Sequence, residues 1–162
     1  MEIYILRHAI AEERRPGRSD QDRALTDEGR RKLRPVLERA RAAGVAPSLV
    51  LTSPYVRAVQ TAEMAAEALG YKGTIVRTGG LVPGSLPEAV WREIRDHRDE
   101  KAILLAGHEP LLSEIGGYLL GVPALAIDLK KGALLRLDVD GSTREPHGTL
   151  QWLLTPKLAA GS

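Results

Sequence analysis

Short unbroken apolar runs alternate along this chain with longer stretches in which apolar positions recur every three or four residues. That alternation predicts buried strands separated by amphipathic helices. The first run, Ile3-Tyr4-Ile5-Leu6, predicts a strand over 2–7 that stops abruptly at Arg7-His8. A second strand over 49–52 leads into Ser53-Pro54-Tyr55-Val56-Arg57, and a third over 102–106 leads into Gly107-His108. A short strand is expected near 74–77. Two more, near 133–139 and 149–154, flank the turn-rich Asp140-Gly141-Ser142-Thr143 and read as a hairpin.

The helical stretches carry their own punctuation. Thr26 is the N-cap of a helix in which Asp27 and Glu28 favour the first turn, and Leu33, Val36, Leu37 and Ala40 form its apolar stripe up to Gly44. Pro35 lacks an N–H and predicts a kink or a broken first turn. A second helix over 55–69 is closed by Gly70 as its C′ residue. A loop over 79–87 punctuated by Gly and Pro precedes a helix over 88–98, and a last helix covers 111–120. Strands alternating with helices imply an α/β fold, a mainly parallel central sheet with helices on both faces and an antiparallel edge strand. The chain reads as a single domain over 1–157, without internal repeat or linker, followed by a loose tail over 158–162.

In open α/β sheets, ligands bind outside the carboxyl ends of the strands. Those ends here supply Arg7, His8, Arg57 and His108. Arg57 falls in the first turn of its helix, beside free backbone N–H groups and the positive end of the dipole, which favours an anion. The polar, Arg-rich segment 9–25 is long for a loop without a task and is read as a rim of the site.

Charge sharpens this picture. Net charge is only +2, yet residues 1–60 hold 12 Lys or Arg against 8 Asp or Glu, so the basic half is the half with Arg7 and Arg57. Arginine outnumbers lysine 17 to 6, which suits bidentate recognition of phosphate or carboxylate. The absence of cysteine excludes disulfides, thiolate chemistry and sulfur-ligated metal. A strand that begins at residue 2 leaves no room for a secretory leader, and no apolar run is long enough to span a membrane, so the expectation is a cytoplasmic protein.

A phosphoryl group placed where the three strand ends meet would have its oxygens neutralised by Arg7, Arg57 and a protonated His108, with His8 facing the phosphorus. An imidazole nucleophile must be neutral when it attacks. Its ordinary pKa of about 6.5 is expected to fall beside two guanidiniums, because like charges ~4 Å apart cost about 4 kcal/mol at an effective dielectric of 20. His8, His108 and Glu109 also form a partial metal-ligand set. A divalent cation there would sit between two arginines, and no further ligand stands at metal-motif spacing, so neither metal nor cofactor is expected.

Leu6-Arg7-His8-Ala9, Leu25-Thr26-Asp27-Glu28-Gly29, Ser53-Pro54 with Arg57-Ala58 and Gln60-Thr61, and Gly107-His108 together resemble the histidine phosphatase superfamily, the phosphoglycerate mutase-like fold. The match runs over residues 4–108 in the family's order. It departs at Ala9, where the family's signature has glycine. The resemblance implies that His8 is the phosphorylated nucleophile and that Arg7, Arg57 and His108 form the phosphate pocket, with Arg23 similar to a further phosphate contact or else a solvated loop arginine; Ser53 is read as starting the second helix and as a candidate substrate contact.

Short connections and the Arg-His-Ala variant look most like the small bacterial protein phosphohistidine phosphatases. The segment Gly80-Leu81-Val82-Pro83-Gly84 lacks the carboxylic acid that ester-cleaving relatives place after the third strand. Imidazole is a weaker base than an alkoxide, so its departure needs less acid catalysis. The partner implied is a phosphorylated protein of the histidine-phosphotransfer type. The rival is a small-molecule phosphomonoesterase acting on a phosphorylated metabolite, with Glu109 as general acid and Glu88 a poorer candidate. A different class is a non-catalytic phosphate- or phosphoprotein-binding module. Six aromatic residues offer no stacking platform for nucleic acid. Arg14, Arg15 and Arg18 read as solvated, His97 as a surface residue near a helix C-terminus, and Trp91 and Trp152 as core; His147 is given no role.

Overall fold

The computed structural model describes residues 1–161. Its strands are β1 (Glu2–Arg7), β2 (Leu49–Thr52), β3 (Ile75–Arg77), β4 (Ala102–Gly107), β5 (Leu134–Asp138) and β6 (Thr149–Leu154). Its helices are α1 (Asp27–Ala42), α2 (Val56–Leu69), α3 (Pro87–Asp96), α4 (Leu111–Leu119) and α5 (Pro156–Ala160). The six strands form one sheet in the order β3-β2-β4-β1-β5-β6. β1 to β4 run parallel, β5 is antiparallel to β1, and β6 is antiparallel to β5.

Helices on both faces require strands that are apolar on both sides. Ile3, Ile5, Leu51, Ile103 and Leu105 pack on one side with Trp91 and Ile94 of α3 and Leu112 and Ile115 of α4. Tyr4, Leu6, Val50 and Leu104, the alternate positions, pack on the other with Leu33 and Leu37 of α1, Ala62 and Ala65 of α2, and Ala159 of α5. Register then levels the strand ends: Arg7 pairs with Gly107, and Thr52 with Ala106. His8, Ser53 and His108 are consequently the first residues beyond one common edge. The ladder carries past that edge, since His8 N donates to Gly107 O at 3.0 Å and Ser53 N to Ala106 O at 3.0 Å.

Four local expectations need correction. Helix α1 runs unbroken through Pro35; its buried stripe of Leu33, Val36, Leu37 and Ala40 holds the helix on the sheet despite the missing N–H. The tail expected to be loose is instead α5, capped by Thr155 Oγ1, which accepts from Leu158 N at 3.2 Å. Ala159 is buried there, and its carbonyl accepts from Arg39 Nε at 2.7 Å; residue 162 lies outside the described residues. The loop 79–87 contains a 3-10 turn, Gly79–Leu81, that sinks Leu81 into the core. Trp91 is core, its Nε1 donating to Arg144 O at 2.8 Å, but Trp152 is only half-buried on the β6 edge against Tyr4.

Candidate active site

Three strand ends and one helix start deliver the sequence-derived candidates to one place. His8 follows β1, Ser53 follows β2, His108 follows β4, and Arg57 occupies the first turn of α2. The His8 and His108 rings stand 5.3 Å apart centroid to centroid. Tyr55 sets its edge against His108 at 5.0 Å, and the Arg57 guanidinium lies 5.1 Å from the Tyr55 ring. Arg57 and Arg7 both act electrostatically on His8, and Arg57 and His8 on His108.

Each group is held in a definite way. His8 Nδ1 donates to Ala9 O at 2.7 Å, which assigns the ring proton to Nδ1 and leaves a lone pair on Nε2. The Ala9 N–H is in turn held by Thr61 Oγ1 at 3.2 Å, and that hydroxyl donates to Arg57 O at 2.7 Å. Arg7 Nη1 donates to Leu129 O at 2.9 Å. His108 Nε2 lies 2.7 Å from Ser53 Oγ, which also accepts from Tyr55 N at 3.2 Å. The Ser53 hydroxyl has no other acceptor for its proton among the described residues, so we assign it as the donor to Nε2, which places the His108 ring proton on Nδ1.

Four buried side-chain nitrogens find no hydrogen-bond partner among the described residues; Arg95 Nε lies on α3, and the other three, Arg7 Nε, Arg57 Nε and His108 Nδ1, belong to this site. Buried donors are normally satisfied. Three unsatisfied ones around one imidazole fit an anion with several oxygens.

Protonation departs from the sequence expectation in two respects. His8 is pushed down to about 4, chiefly by burial, with Arg57, Arg7 and Lys131 adding to the fall and the Ala9 hydrogen bond opposing it. The uncharged His8 imidazole matches the expectation, but desolvation outweighs the guanidiniums as its cause. His108, expected to be protonated, is pushed down to about 3 by burial first and then by Arg57 and His8. At 2% exposure and beside a buried guanidinium, its cationic form is disfavoured twice over.

The rim segment is ordered by its own contacts. Glu12 and Ala24 pair through Glu12 N to Ala24 O at 2.8 Å and Ala24 N to Glu12 Oε1 at 3.0 Å. Gln60 Oε1 takes Leu25 N at 2.8 Å, so Gln60 and Thr61 both tie this segment and the β1 end to α2. Gly29 packs so closely under Ile10 that a Cβ would run into the Ile10 carbonyl. Arg23 donates through Nε to Asp20 Oδ1 at 2.8 Å and through Nη1 to Glu12 O at 2.7 Å. It joins the site through Asp20, which also receives Arg57 and which the sequence did not mark. Arg14 pairs with Asp20 at 3.3 Å and Arg18 with Glu12 at 3.3 Å, both at the surface.

The two carboxylate candidates part company. Glu109 adjoins His108, accepts from Ser113 N at 2.8 Å through Oε1, and acts electrostatically on Arg7. Glu88 is exposed at the start of α3, where its charge acts on Tyr118. Among the described residues no three His, Asp or Glu side chains gather as a metal-ligand set, and no helix is long and apolar enough to cross a membrane.

Beside Arg7 opens a cavity of about 1010 Å³ between α1, α5 and the segment before β5. Its floor is apolar, with Ile10, Leu33, Pro35 and Pro156, and its rim carries Arg31, Lys32, Lys130, Lys131 and Lys157. No carboxylate is among the described residues that line it, although Glu28 and Asp128 pair with Lys32 and Lys130 from outside.

Three comparisons relate this chain to known proteins. The solved protein histidine phosphatase SixA, in complex with tungstate, is 24% identical and superposes with a TM-score of 0.87 over 98% of this chain and 99% of that one. The alpha-ribazole phosphatase of Shigella flexneri is 17% identical, with a TM-score of 0.73 over 96% and 97%. An uncharacterized protein of Picosynechococcus sp. strain PCC 7002 is 34% identical over 97% of this chain and 98% of its own length. The sequence model of the histidine phosphatase superfamily, branch 1, matches residues 3–81, the span that holds Arg7, His8, Ser53 and Arg57. With residues 3–81 matching that family's model and the fold shared to the chain's end, this protein belongs to branch 1 of the histidine phosphatase superfamily.

Proposed function

We propose that this protein is a metal-independent phosphatase that removes a phosphoryl group from phosphohistidine on a partner protein, through a covalent phospho-His8 intermediate. The observation that carries the reading is the His8 hydrogen bond to Ala9, which points a free Nε2 lone pair away from the backbone while unpartnered donors on Arg7, Arg57 and His108 surround it.

The chemistry follows from those groups. The Nε2 lone pair of His8 forms a bond to phosphorus as the phosphorus–nitrogen bond to the substrate imidazole breaks, and the departing nitrogen keeps that electron pair and takes up a proton. Arg7, Arg57 and the Nδ1–H of neutral His108 donate to the equatorial oxygens as charge spreads over them. A water molecule then attacks the phosphorus, the bond to His8 breaks, and orthophosphate leaves. The open, apolar-floored and basic-rimmed cavity beside Arg7 supports a protein substrate, because it offers contact area beyond a single phosphate.

A chase experiment tests this. A phosphohistidine protein carrying labelled phosphate is mixed with the enzyme and a chelator and quenched within milliseconds to seconds. Acid-labile label on His8, absent from His8→Ala, is expected; turnover without label on any residue would indicate direct attack by water, and loss of turnover under chelation would indicate a metal.

A second reading, a phosphomonoesterase for small phosphorylated metabolites, is favoured by Glu109, whose carboxylate lies beside His108 and within electrostatic reach of Arg7. An alkoxide leaving group needs a proton donor there. Comparable turnover of an alkyl phosphate and of phosphohistidine, with loss of the former in Glu109→Gln, would establish it. A module that only binds phosphate would keep its phosphoprotein affinity in His8→Ala and release no orthophosphate.

A further inference from the structure

We propose that Asp20 is a positioning residue for phosphoryl transfer, fixing the Arg57 guanidinium and coupling it to Arg23. This rests on the phosphatase reading and extends it, because it gives the 9–25 segment a part in the chemical step.

Asp20 opens a 3-10 turn, Asp20–Asp22, capped by Ser19 Oγ. Its backbone carbonyl accepts from Arg57 Nη1 at 2.7 Å and its Oδ2 from Arg57 Nη2 at 3.2 Å. Its other oxygen, Oδ1, accepts from Arg23 Nε at 2.8 Å. Two oxygens of one residue on the two terminal nitrogens fix both the plane and the tilt of a guanidinium. Among the N–H groups left over, the Nε–H is buried and has no partner among the described residues. Asp20 therefore grips the far edge of Arg57 and does not compete for the Nε–H. Arg23, tied back to Glu12 O at 2.7 Å, makes that grip part of the ordered segment.

The carboxylate has a second effect of opposite sign. It brings a negative charge into contact with Arg57, Arg23 and Arg14, so it weakens the field that attracts an anion. Removing it loosens Arg57 in the transition state yet leaves more positive charge to bind phosphate. A contact that only held the fold together would not separate those two quantities.

The test uses Asp20→Ala and Asp20→Asn in the full chain, with two readouts: the single-turnover rate of His8 phosphorylation and the inhibition constant of orthophosphate. In Asp20→Ala the rate is expected to fall about 10- to 100-fold, the range of one charge-assisted hydrogen bond, while orthophosphate binds at least as tightly. Asp20→Asn, which keeps an oxygen for Arg57 Nη2, is expected to recover most of the rate. An unchanged or faster rate in Asp20→Ala would overturn the proposal, as would a rate and a phosphate affinity that fall together. A third readout stands apart from turnover: the Nε–H resonance of Arg57, identified by its absence in Arg57→Lys, is expected to broaden and exchange faster in Asp20→Ala. If the wild-type chain neither turns over nor labels His8, the phosphatase reading fails by itself. The Nε–H resonance then decides on Asp20, and an unaltered signal would overturn its role.

Discussion

His8 and His108 face each other at 5.3 Å between ring centroids, and burial keeps both uncharged. Two cationic imidazoles at that separation would repel each other and the flanking Arg57. Neutrality gives the pair distinct duties: a lone pair on His8 Nε2 and an N–H on His108 Nδ1.

The first expected outcome concerns pH and rate. The acid limb of kcat/KM reports the free enzyme's nucleophile, and His8 protonates only near pH 4. After correction for the substrate's own ionisation, kcat/KM should stay level from pH 7 to about 5 and fall near 4. A fall centred at the ordinary histidine value of 6.5 would show that His8 is solvated in the active enzyme.

The same depression links pH to stability. The unfolded chain protonates His8 and His108 near 6.5, whereas the folded chain does so only near 4 and 3. Between those values the unfolded state holds more protons. The stability contributed by the neutral pair is thus complete above about pH 6.5 and is lost as pH falls toward 4 and below. Urea midpoints measured at pH 7 and pH 5 should drop on acidification, and the drop should shrink in His108→Gln.

How far the sequence reaches is itself informative. Arg7, His8, Arg57 and His108 were legible because each sits at a strand end or in a helix's first turn, positions fixed by local apolar pattern. Asp20 was not legible. It lies in a segment where Glu12, Glu13, Asp20 and Asp22 alternate with Arg14, Arg15, Arg18 and Arg23, and only the folded path decides which charges meet. The neutrality of His108 depends on burial by three separate elements, which periodicity does not encode. Helix α5 was missed because five residues are too few to show a period; Thr155 followed by Pro156 was the available signal.

The glycine of the Leu25-Thr26-Asp27-Glu28-Gly29 motif should prove structural. Thr26 Oγ1 caps α1 by accepting Gly29 N at 3.0 Å, and Thr26 N donates to Ile10 O at 3.0 Å, so the helix start is docked directly on the segment leaving His8. Gly29→Ala gains helix propensity of up to about 1 kcal/mol. It also drives a methyl group into the Ile10 backbone, where neither partner is a flexible side chain. A net loss of about 1–3 kcal/mol is expected, read from urea unfolding; a stabilised variant would mean that Ile10 yields freely.

Recognition of a protein substrate should depend on the basic cavity rim. Arg31 and Lys157 line it from α1 and α5, and neither histidine is among its lining residues. Reversing both charges, in Arg31→Glu with Lys157→Glu, should lower kcat/KM for an acidic phosphohistidine protein by about tenfold or more through slower association. The loss should exceed that for phosphoramidate and should shrink as salt rises. Equal losses on both substrates would place the protein's docking surface elsewhere.

Ser53 offers the most local test of the His108 assignment. Its hydroxyl is fully buried, accepts from Tyr55 N and donates to His108 Nε2 at 2.7 Å. Ser53→Ala strands both partners, so a stability loss of about 1–3 kcal/mol is expected. The chemical consequence is separable. Without the Ser53 proton on Nε2, the His108 ring can place its own proton there and turn a lone pair on Nδ1 toward the phosphoryl oxygens, which repels them. Turnover should therefore fall further than phosphate affinity, while Ser53→Thr, which restores the hydroxyl, should recover activity to the extent that its extra methyl fits. A ¹⁵N spectrum of His108 checks the cause directly: the protonated nitrogen is expected at Nδ1 in the wild-type chain and at Nε2 in Ser53→Ala. The same tautomer in both would remove Ser53 from any role beyond starting α2.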